Sequence, residues 1–484
     1  MRLDKRLIPW LIVLLVIFVI YFLHINLKKP LNLVSSVEVL VDPPIFFSEN
    51  IELRPNPPEV QAIALKADMP WESAGLGYFA VLDDPSNNII RMYYSCHQER
   101  KKLNLCYAES EDGISFKRIF LTDNNILDIE LSDGVSVFRL KDGNYGLLVA
   151  KHVGYHPQLN LYSSVDGINF KKELSDAVEN FAMDSQNIVF YDESKDKYLA
   201  FVRSWNALKL IGPDTTYRTV SVLELDDPFE DWPIPHDTPP LWSNYWTKGV
   251  HRPAVSSELP VIMAPDDKDP PNTHIYTPSV NSYNGNYYAF PSIYEHFPDP
   301  WHGGLRTNDG KMNIQLAVSK DGYSWKRLRL PYLDYGHLDP KVLLIYMGQG
   351  IIDRGDYIYQ YAHTYSNLHQ DESVDSKIYV LKQRKERFAY LTPIDDKEGE
   401  VHFKLIPNGS RVLVDAEIEN NGYIRVKAES NNSFINGIVS KVVENGKGRL
   451  KVSFDNGHAL PIDEEVTLKF YLKSSKLFAI KFVE

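Results

Sequence analysis

The sequence predicts an all-β protein, a five-bladed β-propeller followed by a C-terminal β-sandwich, with one N-terminal transmembrane helix ahead of both. Three observations predict it. The phrase Ser-x-Asp-Gly recurs as SEDGISF (110–116), SVDGINF (164–170) and SKDGYSW (319–325), each after a strand-like run and before two basic residues. A second kind of hairpin, an apolar strand, a polar turn and a Tyr-rich strand, begins near residues 76, 134, 185, 278 and 349. Finally, the twenty positions from Ile8 to Leu27 carry no Asp, Glu, Lys or Arg.

The apolar run has the length of a bilayer-spanning helix. Arg2, Lys5 and Arg6 precede it and Lys28 and Lys29 follow, a slight bias toward a cytoplasmic N-terminus. A cleaved signal peptide is the alternative, but it calls for a shorter apolar core and a small-residue cleavage site, and HINLKKPLNLVSS supplies none. The reading is therefore a signal anchor: a cytoplasmic tip and membrane span over 1–29, a stalk over 30–49, and the bulk of the chain outside the cytoplasm. A net charge of −12 gives no cationic field for phosphate backbones, so nucleic acid is not an expected partner. The two cysteines, Cys96 and Cys106, are too few for a disulfide scaffold or a four-cysteine zinc site. They lie in RMYYSC and LNLCYAES, which could face each other across a hairpin; a disulfide and two free buried thiols are both open.

Asp-Gly between two strands is a strong hairpin signal, because glycine takes positive φ and Asp bonds its local backbone. Five units of two hairpins each describe five four-stranded blades over residues 50–392. An irregular β-sandwich would explain the strands but not the order of hairpin types. Beyond the acidic stretch IDDKEGE, residues 393–484 alternate with frequent Asn and Gly turns, as a small all-β sandwich does.

A propeller converges the first strand of each blade on its axis, so residues at the start of those strands can meet. The first three units place Glu72, Asp133 and Asp184 there, the fourth Tyr276 and Thr277, and the fifth Gln349. Carboxylates gathered at one mouth suit glycosidic bond cleavage, in which one acid protonates the leaving oxygen and another activates water or attacks the sugar. Arg203 and the pair Glu295 and His296 are further candidates for the mouth, with Glu295 a possible alternative acid; His156, Arg252, His337 and His363 lie in loops or at strand ends. Trp71, Tyr276 and Trp301 are candidates for sugar stacking. Isolated histidines and aromatics of this kind usually serve packing. No HExxH, Cys/His array, P-loop or GxSxG occurs, and no cofactor is expected, though a structural Ca²⁺ in the channel stays open.

The five-unit layout, the acids heading the first three blades and the C-terminal β module resemble the five-bladed propeller glycosidases, the group that includes glycoside hydrolase families 32, 43, 68 and 130. The runs PWES, MYYSC, LCYAESEDGISF, MDSQNIVFYDESKDKYLAFVR, IYTPSV and IQLAVSKDGYSW are similar to bacterial glycosidase-like proteins. The resemblance implies Glu72 as base or nucleophile, Asp133 as the acid that tunes pKa and orientation, and Asp184 as proton donor. Two departures stand out. The family's usual first-blade Asp and third-blade Glu are exchanged here, and the WxNDPNG, RDP and EC motifs are missing. The expected function is a membrane-anchored extracytoplasmic glycosidase-like protein acting on an oligo- or polysaccharide or a glycoconjugate. The alternatives are a tethered, non-catalytic carbohydrate- or protein-binding propeller and a phosphorylase that would require inorganic phosphate.

Overall fold

The computed structural model describes residues 33–484 except 35, 40–42, 100–101, 132, 154–155, 178–182, 208–215, 234–258, 300–304, 370–374, 431–436, 442 and 463. The span Ile8–Leu27 therefore lies outside the described residues; among those described, no helix is long and apolar enough to cross a membrane. The chain divides into two compact units, one of residues 54–388 and one of residues 1–53 with 389–484.

The larger unit is built of successive antiparallel sheets. The first blade runs Gly75–Asp84, Ile89–Glu99, Lys102–Ser110 and Ile126–Glu130; the second Val135–Arg139, Tyr145–Val153, His156–Ser164 and Lys171–Leu174. The third runs Ile188–Asp192, Lys197–Ala207, Thr216–Leu225 and Val261–Met263. In the fourth, the broken strand Thr273–Ile275 and Val280–Tyr283 pairs with Asn286–Ala289 and Ser292–Asp299, which pair with Leu305–Ser319, followed by Lys326–Leu333. The fifth comprises Leu344–Met347 with Ile352–Arg354, then Tyr357–Tyr365 and Ser376–Arg384.

The fifth blade's outer strand is not the following segment, as the hairpin order suggests. It is Glu59–Lys66, antiparallel to Ser376–Arg384 from Lys382↔Glu59 to Lys377↔Lys66. A strand from the start of the unit thus completes the sheet at its end and closes the ring, which removes two free edges at once.

The inner strands meet in a polar knot. The Gln349 side-chain oxygen accepts from Ser136 Oγ at 2.7 Å and from the Val137 N–H at 3.1 Å, while its Nε2 donates to the Val189 carbonyl at 3.1 Å. Its backbone carbonyl accepts from Val81 N, and Ser279 Oγ donates to the Gly348 carbonyl. Gln186 Nε2 donates to the Phe79 carbonyl at 2.7 Å. All five blades are joined within a few residues of Gln349. Space is short there: a Cβ on Gly348 would lie 2.2 Å from the Phe79 ring.

The recurrent Asp-Gly phrases are scaffold. In each, the Ser hydroxyl donates to the Asp carboxylate at 2.9 Å and accepts the Gly N–H, and the Asp takes the next two backbone N–H groups. The glycines take φ of 75–83°. The Ser324 N–H bond, above all, holds the Asp321 carboxyl down at about 2. Cys96 and Cys106 form a disulfide between the second and third strands of the first blade, within its apolar core.

The smaller unit differs from the expected boundaries. Residues assigned to a stalk are strands of its sheet: Leu33–Val34 pairs in parallel with Ile406–Pro407, Ser36–Glu38 pairs with Ala479–Lys481, and Ile45–Glu49 pairs with Glu400–Phe403. Ala389–Pro393 also belongs to it, placing Leu391 opposite Leu477. The reason is burial: Val37, Val39 and Leu391 complete a core with Phe403, Val414, Val426, Leu468 and Ile480. The strands Arg411–Ser430 and Val466–Val483 pair along nearly their whole length. They are interrupted where Asn421 and Ser474 take positive φ, and both halves of each bury the same face in that one core. The strands form one continuous ten-stranded sheet.

Gln349→Ala removes three hydrogen bonds at the axis and leaves the Val137 N–H without its acceptor. The expected loss is about 2–3 kcal/mol in urea unfolding of the propeller followed by tryptophan fluorescence.

Candidate active site

A cavity of about 620 Å³ opens at the end of the inner strands where Asp133, Asp184 and Tyr276 stand. Its wall is set by strand alternation in the fifth blade. Leu344 and Tyr346 lie two apart on one strand, opposite Tyr365 and His363 on the next, so all four side chains share one face. The first blade adds Tyr78 and, on its second strand, His97. Gly77 makes room for that imidazole, since a Cβ there would come within 2.5 Å of His97 Nε2. Asn367, Leu368 and His369 complete the rim.

Asp184 is the best-anchored acid. Arg203 Nη1 donates to its carboxylate at 2.6 Å, and Nη2 donates to the Tyr276 carbonyl at 2.7 Å. Arg203 is only 1% exposed whereas Asp184 is 23% exposed, so the guanidinium is a buried counter-ion beneath an accessible carboxylate. Burial opposes the Arg203 charge, but Asp184, Tyr276, Tyr78 and Asp133 hold it protonated. The same guanidinium lies 4.4 Å from the Tyr276 ring centroid, and the Tyr276 hydroxyl pairs with His369 Nε2 at 2.8 Å. Burial raises the phenol of Tyr276, with Arg203 and Arg218 pulling the other way. Asp133 adds to the upward shift that burial gives both Tyr78 and Tyr365, which places its charge beside these two rings. The cavity therefore sets two acids, Asp133 and Asp184, among buried tyrosines whose phenols burial keeps protonated.

Two of its histidines, His97 and His363, are neutral too. Burial brings His97 down to about 4, and burial with the neighbouring His97 brings His363 down to about 3. His363 packs against the rings of Tyr346 and Tyr365, and neither of its ring nitrogens makes a well-formed hydrogen bond.

Glu72 is not brought to this cavity. It ends a short 3₁₀ turn, Pro70–Glu72, and is fully buried. Its carboxylate accepts from Arg118 Nε and Nη2 at 2.9 and 2.7 Å, from the Tyr94 hydroxyl at 2.8 Å, and from the backbone N–H groups of Asp68 and Met69. Every acceptor direction is occupied by the protein, so Glu72 is a structural anion; its neighbours Ser73 and Ala74 line the cavity instead.

Other expected site residues are also placed elsewhere. Trp71 donates to Asn125 at 2.8 Å and packs against the first-blade core and Phe120, which makes it a packing residue. Thr277 is buried against Ser292. Gln349 sits in the axial knot and borders a second cavity, at the opposite end of the inner strands. Glu295 and His296 alternate on their strand: Glu295 accepts from Asn313, and His296 pairs with Arg218 behind Tyr276. Neither lines the cavity. His337 contacts the Pro58 carbonyl; Arg252 and Trp301 lie outside the described residues, and the His156 side chain is likewise undescribed. Among the described residues, no group of three or more His, Cys, Asp or Glu is placed to hold a metal ion.

No protein-family model and no curated protein matches the chain. Among solved structures it is similar to a glycosyl hydrolase from Bacteroides ovatus at 14% identity, with 69% of this chain and 95% of that chain covered and a TM-score of 0.42. A family-130 structure, from a family of mannoside phosphorylases containing glycoside hydrolases that target β-1,2 mannosidic linkages in Candida mannan, aligns at 16% identity, 72% and 97% coverage and a TM-score of 0.41. A family-32 β-fructofuranosidase of Bombyx mori aligns at 11% identity, 89% and 94% coverage and a TM-score of 0.41. At this level of superposition the architecture rests on the strand pairing and the axial knot described above.

Glu72→Gln leaves the Arg118 charge short of its main partner and should lower stability by about 3 kcal/mol. Loss of function at unchanged stability would return Glu72 to the site. The two histidines also predict a pH effect. Their folded pKa values lie below the unfolded value of about 6.5, so the unfolded chain binds more protons as pH falls, and stability present above pH 6.5 is lost toward pH 4. Each contributes roughly 2 kcal/mol of that loss between pH 6.5 and 5. The slope in urea unfolding should flatten in His363→Phe.

Proposed function

We propose that the chain is a membrane-anchored, extracytoplasmic glycosidase-like protein whose substrate, an oligo- or polysaccharide or a glycoconjugate, enters the cavity at Asp133 and Asp184. The observation that carries this reading is the pairing of one accessible carboxylate, ion-paired from below by buried Arg203, with a second beside neutral tyrosines. A guanidinium contact favours the charged form, so Asp184 is the carboxylate that activates water or attacks the anomeric carbon. Asp133 is the acid that protonates the leaving oxygen. This assignment exchanges the roles that the resemblance implies. The Tyr-rich wall supplies rigid faces for sugar rings and hydroxyls for their polar edges. The disulfide of the first blade supports an oxidising compartment, and the apolar run Ile8–Leu27 supports anchoring.

One observation favours a second reading, a tethered propeller that binds glycans without cleaving them: the first-blade acid is withdrawn into an ion pair with Arg118, so the cavity lacks a third carboxylate among the described residues. Turnover across a broad glycan panel, with and without inorganic phosphate, separates the two. Asp184→Asn and Asp133→Asn should each cut turnover by about 10²- to 10⁴-fold while glycan affinity changes little. If the wild type binds one glycan and turns over none, the enzymatic reading is excluded.

A further inference from the structure

The smaller unit carries an aromatic patch whose position has a consequence for the membrane. Phe46 and Phe47 are adjacent on the edge strand Ile45–Glu49, at 57% and 39% exposure. Neighbours on a regular strand point to opposite faces. Here a bulge between Ile45 and Phe47 breaks the alternation, and both rings pack on His402, at centroid distances of 5.4 and 4.5 Å. Two large apolar side chains are thus displayed together beside one imidazole rather than one being folded into the core.

The same strand receives the chain from its apolar N-terminal run. Leu33–Val34 and Ile45–Glu49 both pair with Gly399–Pro407, and Val466–Val483 lies on the edge opposite Ile45–Glu49. Leu33 stands opposite Ile406 and Ile45 opposite Phe403, three positions apart, so the chain enters about 10 Å from the aromatic patch. Between Leu27, the last residue of the apolar run, and Leu33 there are only five residues, Lys28–Asn32. Six Cα–Cα steps of extended chain span at most about 20 Å. Part of that length crosses the headgroup layer, which adds roughly 5–7 Å on each side of the hydrocarbon. A span at Ile8–Leu27 therefore leaves no room for a stalk.

We infer that the sheet edge bearing Phe46 and Phe47 rests on the bilayer surface, with the two rings in the headgroup region. This inference uses the membrane-anchored part of the function proposed above and is independent of its catalytic part. The occupant of the patch is lipid, held against it by a tether too short to let go.

The test uses the full-length chain reconstituted in phosphatidylcholine–phosphatidylglycerol vesicles, with a nitroxide label at Phe47→Cys and, separately, at Phe46→Cys; the native cysteines are bonded and do not compete. A label at Lys447→Cys, on the strand Val443–Val452 at the other edge of the sheet, is the reference. The expected result is a shift of relative accessibility from an aqueous nickel chelate toward oxygen at positions 46 and 47, with position 447 remaining water-like. Water-like accessibility at both 46 and 47, in chains that resist extraction by alkaline carbonate, overturns the seating while leaving the anchor standing. Release of the chain by carbonate overturns the anchor and the seating together.

Discussion

The propeller depends on one buried amide. Gln349 reaches across the axis to the second and third blades, its backbone binds the first, and its neighbours Gly348 and Gly350 bind the fourth through Ser279 and Asn281. Backbone groups at the inner ends of blades have no fifth strand to satisfy them, and a buried unpaired amide is costly. A side chain with both a donor and an acceptor is the minimal solution, because it meets an N–H and a C=O simultaneously. With this knot tied, the strand ends on one side are held at fixed separations, and residues far apart in sequence become neighbours in one cavity.

The acids that head the first three blades differ in how they are supported. Asp184 has a cation beneath it, Asp133 has phenols around it, and Glu72 has been withdrawn into an ion pair of its own. Three carboxylates at similar positions in three blades thus have three environments. Arg203 links the site to the layer behind it, where Arg218, His274 and His296 pack beneath Tyr276, so the cavity floor is braced by charged and aromatic contacts rather than by aliphatic side chains.

Much of this was legible in the chain. The Asp-Gly hairpins mark themselves because their chemistry is local: a Ser, an Asp and a Gly within four residues satisfy one another. Asp133 and Asp184 line the cavity because an extended chain leads directly from each into its inner strand. Glu72 was misread because the turn Pro70–Glu72 rolls its carboxylate toward Arg118, a partner 46 residues away that no local pattern announces. The strand Glu59–Lys66 lies ahead of the first repeated unit, and no local pattern discloses a partner more than 300 residues later. Of the cavity histidines the sequence marks only His363, in a run of alternating tyrosines, and its register with Tyr346 shows which face it shares; His97 and His369 carry no local signal. Ser36–Glu38 reads as part of a stalk because nothing local separates a short strand of a distant sheet from a linker.

The pairing of the first described residues with the last has a bearing on how the chain is made. The smaller unit is assembled from two segments separated in sequence by the entire propeller, and the propeller's own closing strand precedes the strand it completes by the same interval. During synthesis neither closure is available until the ribosome has passed residue 376, and the smaller core still lacks Val466–Val483 at that point. Glu59–Lys66 and Ser36–Glu38 must therefore wait as unpaired edges through most of translation. Among the described residues, growth from the N-terminus completes neither unit early, and Val466–Val483 decides whether Ser36–Glu38 finds a place.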